Sequence, residues 1–266
     1  MKVGVSGISV IAPGVSGWEE VRPVLGGEKP WPEGELVLSA PDVLRPRERR
    51  RTSPSLRLAL NAAVAACRMA ECAFDEVTSV FGSAVGDGAV CDGILTALCR
   101  PERLVSPTQF HNSVHNAAAG YWSISTGNTN SSVSIAAGGA TFGAGLLRAV
   151  LMTMSEQRPT VLVVSDHPLP GLLGKMHAMD RAMAVGLVLS PSDTAGRTCA
   201  VLEIQGAADA PETVPTDTAW TPLYDGTTAG RALPLLTAIA NRTSSPEDVV
   251  CAAGVNDYRI KVRVSN

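Results

Sequence analysis

The stretch SSVSIAAGGATFGAGLLRA, residues 131–149, reads as a strand that bends through very small residues into a helix. A corner of this kind sets one side chain at a helix N-terminus, where backbone N–H groups and the macrodipole favour negative charge. An activated Cys or Ser at such a corner does nucleophilic chemistry. Here the turn offers only Ala136, Ala137, Gly138 and Gly139. A methyl group carries no lone pair, so no covalent intermediate forms on it. Ser132 and Ser134 are the hydroxyls nearest to the corner, and a rival reading makes Ser134 a replacement nucleophile. Ser134 lies in the strand rather than on the turn, and no base is adjacent to it in sequence. Strand serines of this kind bond across to their neighbours.

Other residues invite chemistry less strongly. Phe110, His111, Asn112, His115 and Asn116 cluster just before a helix of small residues, where helix capping and polar core bonds are one reading. His111 and His115 have i, i+4 spacing, yet no third metal ligand is evident, so no metal site is expected. The loop GSAVGDG lacks both the Lys-Ser/Thr ending of a P-loop and the spacing of a dinucleotide fingerprint. Its glycines are read as turn formers, and no cofactor is expected. Arg45, Arg47, Arg49, Arg50 and Arg51 form the one dense basic run. It is either a patch that steers an acidic partner or a solvated helix start set against the macrodipole.

The elements that must position these residues belong to a chain of 266 residues with 45% apolar content, enough for a sizeable core. The balance of 22 basic against 25 acidic residues gives no general affinity for nucleic acid or anionic lipid. Cysteines 67, 72, 91, 99, 199 and 251 show neither Cys-x-x-Cys nor paired metal spacing, and are expected to be reduced thiols in a cytoplasmic protein. No export signal is read at the N-terminus. The apolar run 136–154 is Gly-rich and interrupted by Arg148, so a buried helix is expected rather than a membrane span. Within it, Gly139 and Gly143 predict close approach to another helix.

Along the chain, a strand is expected over residues 2–10, then a short helix capped by Ser16 and a Pro-rich surface loop to residue 46. A long, mostly buried helix follows over residues 52–70, a strand over 77–85 and a helix over 90–100. Beyond the Gly-rich helix come a strand at 160–165, a loop around 176–183 and a hairpin. Its arms are AVGLVLS and CAVLEIQ, joined by the polar turn PSDTAGRT. Alternating strands and helices make the class α/β, with helices on both faces of the sheet. From residue 206 the texture changes to a Pro/Thr/Asp-rich connection, a helix at 229–240 and two short strands. The last strand alternates Ile260, Val262 and Val264 with Arg259, Lys261 and Arg263, a basic face that guards an edge or meets something acidic.

TSPSLRLALNAAVAA, VFGSAVGDG, SPTQFHNSVHNAAAGYWSISTG, SSVSIAAGG and AMAVGLVLS, in this order, resemble the N-terminal half of the β-ketoacyl synthases, enzymes of the thiolase fold. The resemblance covers most of residues 1–205. It implies a thiolase-like domain over residues 1–206 and a short C-terminal extension, 207–266, packed on it. Where the family has a Ser-x-Thr-Ala-Cys-type sequence, this chain has Ser132-Val133-Ser134-Ile135-Ala136-Ala137. Ala137 therefore takes the place of the acyl-accepting cysteine. Family enzymes also carry a duplicated second half with two histidines that drive decarboxylation. This chain is expected to lack that half, and His111, His115, His167 and His177 all lie in the first-half region and match neither histidine motif.

The segment SPTQFHNSVHNAAAGYWSI looks especially like the short chain-length factors found beside a full ketosynthase in aryl-polyene and related pathways. The resemblance implies a pseudo-enzyme that pairs with an active ketosynthase and lines part of its acyl tunnel. Ser131, Ser132, Val133, Ser134, Ile135 and Ala136 would form the strand at the subunit edge, with Phe110, His111, Asn112, His115 and Asn116 also at the interface. Ala117, Ala118, Gly138 and Gly139 would leave room in the tunnel. Arg47, Arg49, Arg50 and Arg51 would meet an acyl carrier protein, whose surface is acidic. Two alternatives stay open: a reduced acyltransferase or malonyl decarboxylase, and a homodimeric scaffold.

Overall fold

The computed structural model describes residues 1–176, 179–192, 198–207, 210–241, 245–254 and 257–265. Its strands are β1 (Lys2–Ile11), β2 (Thr78–Gly82), β3 (Ser132–Ile135), β4 (Thr160–Asp166), β5 (Met183–Pro191), β6 (Ala200–Gly206), β7 (Glu247–Ala252) and β8 (Arg259–Ser265). They form one sheet in the order β3-β2-β4-β5-β1-β6-β8-β7. β2 pairs in parallel with β3 and β4, and the pairings from β4 through β7 are antiparallel. Every residue of β2 and β4 is buried, as expected of central strands covered on both faces.

Helices cover both faces. They are α1 (Trp18–Leu25), α2 (Pro46–Arg49), α3 (Pro54–Met69), α4 (Gly88–Leu98), α5 (Pro107–Asn112), α6 (Ala117–Thr126), α7 (Thr141–Glu156), α8 (Gly171–Met176), α9 (Thr221–Gly226) and α10 (Leu233–Asn241). On one face α1, α7 and α10 close a core around Phe142, Leu146, Leu162, Leu187 and Leu235. On the other, α3 and α6 close a second core with Leu58, Leu60, Phe81 and Trp122. The sheet tolerates α3 at short range because two glycines face it. A Cβ on Gly7 would fall 2.1 Å from Ala66 O, and one on Gly186 would fall 2.7 Å from Ala62 O. Ser9 Oγ donates to the same Ala62 carbonyl at 2.7 Å.

Four local expectations are corrected. The two arms of the expected hairpin, β5 and β6, are not neighbours; β1 lies between them and pairs antiparallel with both. A polar connection between two strands says nothing about a third strand arriving from the other end of the chain. Most of that connection, residues 193–197, lies outside the described residues, as does His177. The basic face of β8 guards no edge: β8 is internal, and Arg263 and Lys261 meet Asp248 of β7 at 2.9 and 3.4 Å. Gly143 approaches a strand rather than a helix, since a Cβ there would lie 2.1 Å from Ala252 O, and Gly139 has nothing within 4 Å. The N-cap of α1 is Gly17, while Ser16 sits one residue earlier and donates its N–H to Glu20 Oε2 at 2.8 Å.

The C-terminal segment is built into the same sheet. β8 pairs with β6, and residues of α10, β7 and β8 share the core that holds β1 and α7. Asp166, buried at the end of β4, ties this segment down. Its Oδ2 accepts from Thr228 N–H at 2.7 Å and Thr228 Oγ–H at 2.5 Å, and its Oδ1 accepts from Ala84 N–H at 3.3 Å. Among the described residues, no helix is long and apolar enough to cross a membrane.

Candidate functional site

The strand-turn-helix corner forms as the small residues dictate. After β3 the chain passes through Ala136 and Ala137 and turns at Gly138, whose φ of +53° suits glycine. A single 3₁₀ turn, Gly138–Ala140, then leads into α7. Thr141 locks the bend: its hydroxyl donates to Gly138 O at 2.6 Å and accepts from Ala137 N–H at 3.0 Å. The corner is thus held in shape with a half-buried methyl at its apex. Gly138 and Gly139 are exposed, and a Cβ at either would meet nothing within 4 Å.

The two serines before the corner have separate fates. Ser132 Oγ accepts from Ser79 Oγ at 2.7 Å, a cross-strand bond to β2. Ser134 Oγ is buried with no hydrogen-bond partner among the described residues. Without a base in contact it has no route to activation. Val133 and Ile135 alternate to the opposite face and pack on the core beneath α7.

β3 ends the sheet, with β2 on one side and no strand on the other among the described residues. Ser79 N–H donates to Ser131 O and Ser83 N–H donates to Ile135 O. In a parallel ladder this alternation turns the backbone groups of Val133 and Ile135 toward β2, and those of Ser132 and Ser134 away from it. The far edge of the sheet is treated differently. β7 is covered by the segment before α9, where Thr213 N–H donates to Val250 O and Val250 N–H donates to Thr213 Oγ1.

The cluster expected at the interface divides in two. Asn112 is buried and structural: its Nδ2 donates to Arg51 O at 2.8 Å and its Oδ1 accepts from Tyr121 O–H at 3.1 Å. Burial raises the Tyr121 pKa above the ordinary phenol range. His115 is exposed, with its Nε2 3.0 Å from Ser83 O. Phe110, His111 and Asn116 are exposed, and the His111 ring meets Tyr121 edge-on at 5.9 Å.

Two concavities collect these residues. The first lies between α3, the end of β2 and the α5–α6 segment, and Asn112, His115, Ala117 and Ala118 line it with Phe81 and Ser165. Gly138 and Gly139 are not among its walls. The second is a groove between α5 and α6, whose walls include Phe110, Val114 and Ile124, with Glu48 and Arg51 at one side. Sequence reading missed Val114, Ile124 and Glu48. Phe110 and Val114 are apolar residues four apart in a polar segment, a signal that could have drawn attention to this face.

Of the basic run, Arg45, Arg47, Arg50 and Arg51 are exposed. Arg49 is not free to act on a partner, because its guanidinium donates to Leu44 O at 2.8 Å and Asp42 O at 3.1 Å.

Comparison with known proteins agrees with this architecture. The sequence profile of the β-ketoacyl synthase N-terminal domain matches residues 27–227. No curated protein matches the chain. Among solved structures, the ketosynthase ApeO in complex with its chain length factor ApeC from Xenorhabdus doucetiae aligns over 100% of this chain and 100% of that one, with a TM-score of 0.73 and 20% identity. The ishigamide ketosynthase/chain length factor aligns over 99% of each chain, with a TM-score of 0.76 and 14% identity. The ketosynthase from module 1 of the bacillaene synthase of Bacillus amyloliquefaciens FZB42 aligns over 80% of this chain but 47% of that one, with a TM-score of 0.57 and 19% identity. The likeness is one of fold, the thiolase-like α/β fold of the ketosynthases.

Proposed function

The chain belongs to the β-ketoacyl synthase N-terminal-domain family, and from that premise we propose that it is a non-catalytic chain-length factor. In this reading it pairs with an active ketosynthase in the cytoplasm and shapes the acyl tunnel during polyene or polyketide synthesis. One observation carries the reading: the corner is kept in shape by Thr141 and Gly138, yet its apex is Ala137. Covalent acyl transfer needs a lone pair there. Ser134, buried and without a partner, gives no support to a replacement nucleophile or to a stand-alone decarboxylase.

The open edge of β3 supports pairing with a second subunit. Outward backbone groups on Ser132 and Ser134 are what a strand of the partner would bond, extending one sheet across two chains. Solved relatives in fold include ketosynthase/chain length factor complexes, and one describes a type II polyketide synthase acyl-carrier protein in complex with its ketosynthase. The concavity lined by Ala117 and Ala118 supports a tunnel wall on this side. Exposed Arg47, Arg50 and Arg51 support contact with an acidic carrier protein, whereas Arg49 contributes through its loop. Residues 207–266 act in this reading as the extension that completes the core beside α7.

Size-exclusion chromatography with light scattering tests the proposal, on this chain alone and co-expressed with the full-length ketosynthase encoded nearest to it. A one-to-one complex is the expected result. A lone chain that is a stable homodimer and ignores the synthase would sink the reading in favour of a scaffold.

A further inference from the structure

The C-terminus of α3 closes with two backbone bonds. Glu71 N–H donates to Arg68 O at 3.1 Å, and Cys72 N–H donates to Cys67 O at 3.1 Å. Between them Glu71 takes the left-handed conformation, with φ of +54°. This is the Schellman termination, which folds the chain back so that the residue two beyond the helix cap meets a side chain of the last turn. The contact is ordinarily between apolar groups. Here both residues are cysteines, Cys67 and Cys72.

The backbone bond sets their reach. It leaves the two α-carbons at most about 7 Å apart, and a disulfide spans roughly 4.4–6.8 Å. The sulfurs face each other as well: Cys72 Sγ–H donates to Cys67 O at 3.5 Å, and the two thiols hydrogen-bond to one another. Their surroundings differ. Cys67 is buried in the core that α3 closes, whereas Cys72 packs half-buried at its rim. The bond from Cys67 holds the Cys72 thiol below its usual range, against its partial burial, while the same bond and full burial push Cys67 up. Burial instead pushes up the thiols of Cys91 and Cys251.

We propose that Cys67 and Cys72 form a reversible thiol–disulfide site, oxidised by hydrogen peroxide and restored by dithiols, that staples the C-terminus of α3. The Cys72 thiolate attacks one peroxide oxygen; an S–O bond forms, the O–O bond breaks, and the departing hydroxide leaves as water with the proton that the thiol gave up. Cys67 sulfur then attacks Cys72 sulfur; the S–S bond forms, the S–O bond breaks, and hydroxide leaves with the Cys67 proton as a second water. Two thiols are oxidised and one peroxide is reduced. The staple falls where α3 lies tight on the sheet, since a Cβ on Gly7 would lie 2.1 Å from Ala66 O and 2.9 Å from Ala70 Cβ. This site goes beyond the chain-length-factor reading and does not depend on it.

The test uses the full chain with its exposed Cys99 replaced, as Cys99→Ser, treated with hydrogen peroxide, blocked with iodoacetamide in denaturant and digested. Trypsin cuts after Arg68 and a glutamate-specific protease after Glu76, so the bridge is read by mass spectrometry as two peptides held together until dithiothreitol separates them. That linked pair, two hydrogens lighter than its separate parts, is the expected result. Cys67→Ala keeps the buried site apolar and removes the resolving thiol. It should trap Cys72 as a sulfenic acid that takes roughly tenfold more dimedone than in the parent. Both cysteines recovered alkylated after peroxide would overturn the proposal, as would a bridge from Cys72 to any other cysteine. Equal dimedone labelling of the parent and Cys67→Ala would overturn it too. The parent digest needs no substitution at either cysteine, so a variant that fails to fold leaves the test intact.

Discussion

On the chain-length-factor reading, Ala137 marks how small a change separates a catalytic corner from a structural one. Its N–H is capped by Thr141 Oγ1 at 3.0 Å and its half-buried methyl stands at the apex of the turn, so the backbone is already arranged for a larger side chain. Ala137→Cys adds one sulfur atom to a site with partial solvent access. The variant is expected to fold with a melting temperature close to that of the parent, and its new thiol should be alkylated by iodoacetamide. It should still release no carbon dioxide from malonyl-loaded carrier protein, since thiolate formation and decarboxylation need acid–base partners, and the side chain that bonds the corner, Thr141, is a hydroxyl. Decarboxylation by Ala137→Cys above the background of the parent chain would show that a working site lacked only its nucleophile. This residue was legible in the sequence because the corner is local: strand, small residues and helix follow one another without a break. Asp166 was not legible. It closes an ordinary buried strand, and its strongest partner, Thr228, comes 62 residues later.

At the scale of elements, β3 is the one whose exposure sets the behaviour of the molecule. Its two faces of backbone groups are chemically alike but have different neighbours, and proline distinguishes them. Val133→Pro removes an N–H that points at β2 and should destabilise the lone chain by roughly 3 kcal/mol. Ser134→Pro removes an N–H that points away from the sheet, where proline is tolerated on an edge strand. It should leave the urea midpoint of the lone chain nearly unchanged and, on the chain-length-factor reading, abolish the proposed one-to-one assembly with the ketosynthase. Equal loss of stability in the two variants would show that the ladder assignment is wrong. The existence of the strands was readable from their apolar runs, as was the 16-residue helix α3, whose cap Ser53 accepts from Leu56 N–H. Their neighbours were not. The periodicity of AVGLVLS and CAVLEIQ fits a hairpin as well as it fits two strands separated by β1, because local pattern carries no record of which distant strand comes between them.

Across the whole molecule, the C-terminal segment and the sheet titrate as one body, which gives the packing between them a measurable signature. Cys251 on β7 is buried against the core, and burial, with Glu212 nearby, pushes its thiol up to about 12. Tyr224 on α9 is also pushed up to about 12, mainly by burial. Its hydroxyl donates to Glu212 at 3.1 Å, and Arg231 sits 4.2 Å above its ring. Both groups hold their protons in the folded chain, whereas in the unfolded chain the thiol releases its proton near pH 9 and the phenol near pH 10. Between those values and about pH 12 the unfolded state therefore binds fewer protons, and stability falls as pH rises. Below the unfolded values both contributions are intact. The urea midpoint should accordingly hold steady from pH 7 to about pH 8.5 and decline from about pH 9 upward. Cys251→Ala should start from a lower midpoint, because a buried sulfur is lost, and should decline less steeply over the same range. A midpoint that stays flat to pH 11, or a slope unchanged in Cys251→Ala, would mean that β7 is solvated in solution. The joining of residues 207–266 to the sheet through β6, β8 and Asp166 would then need revision.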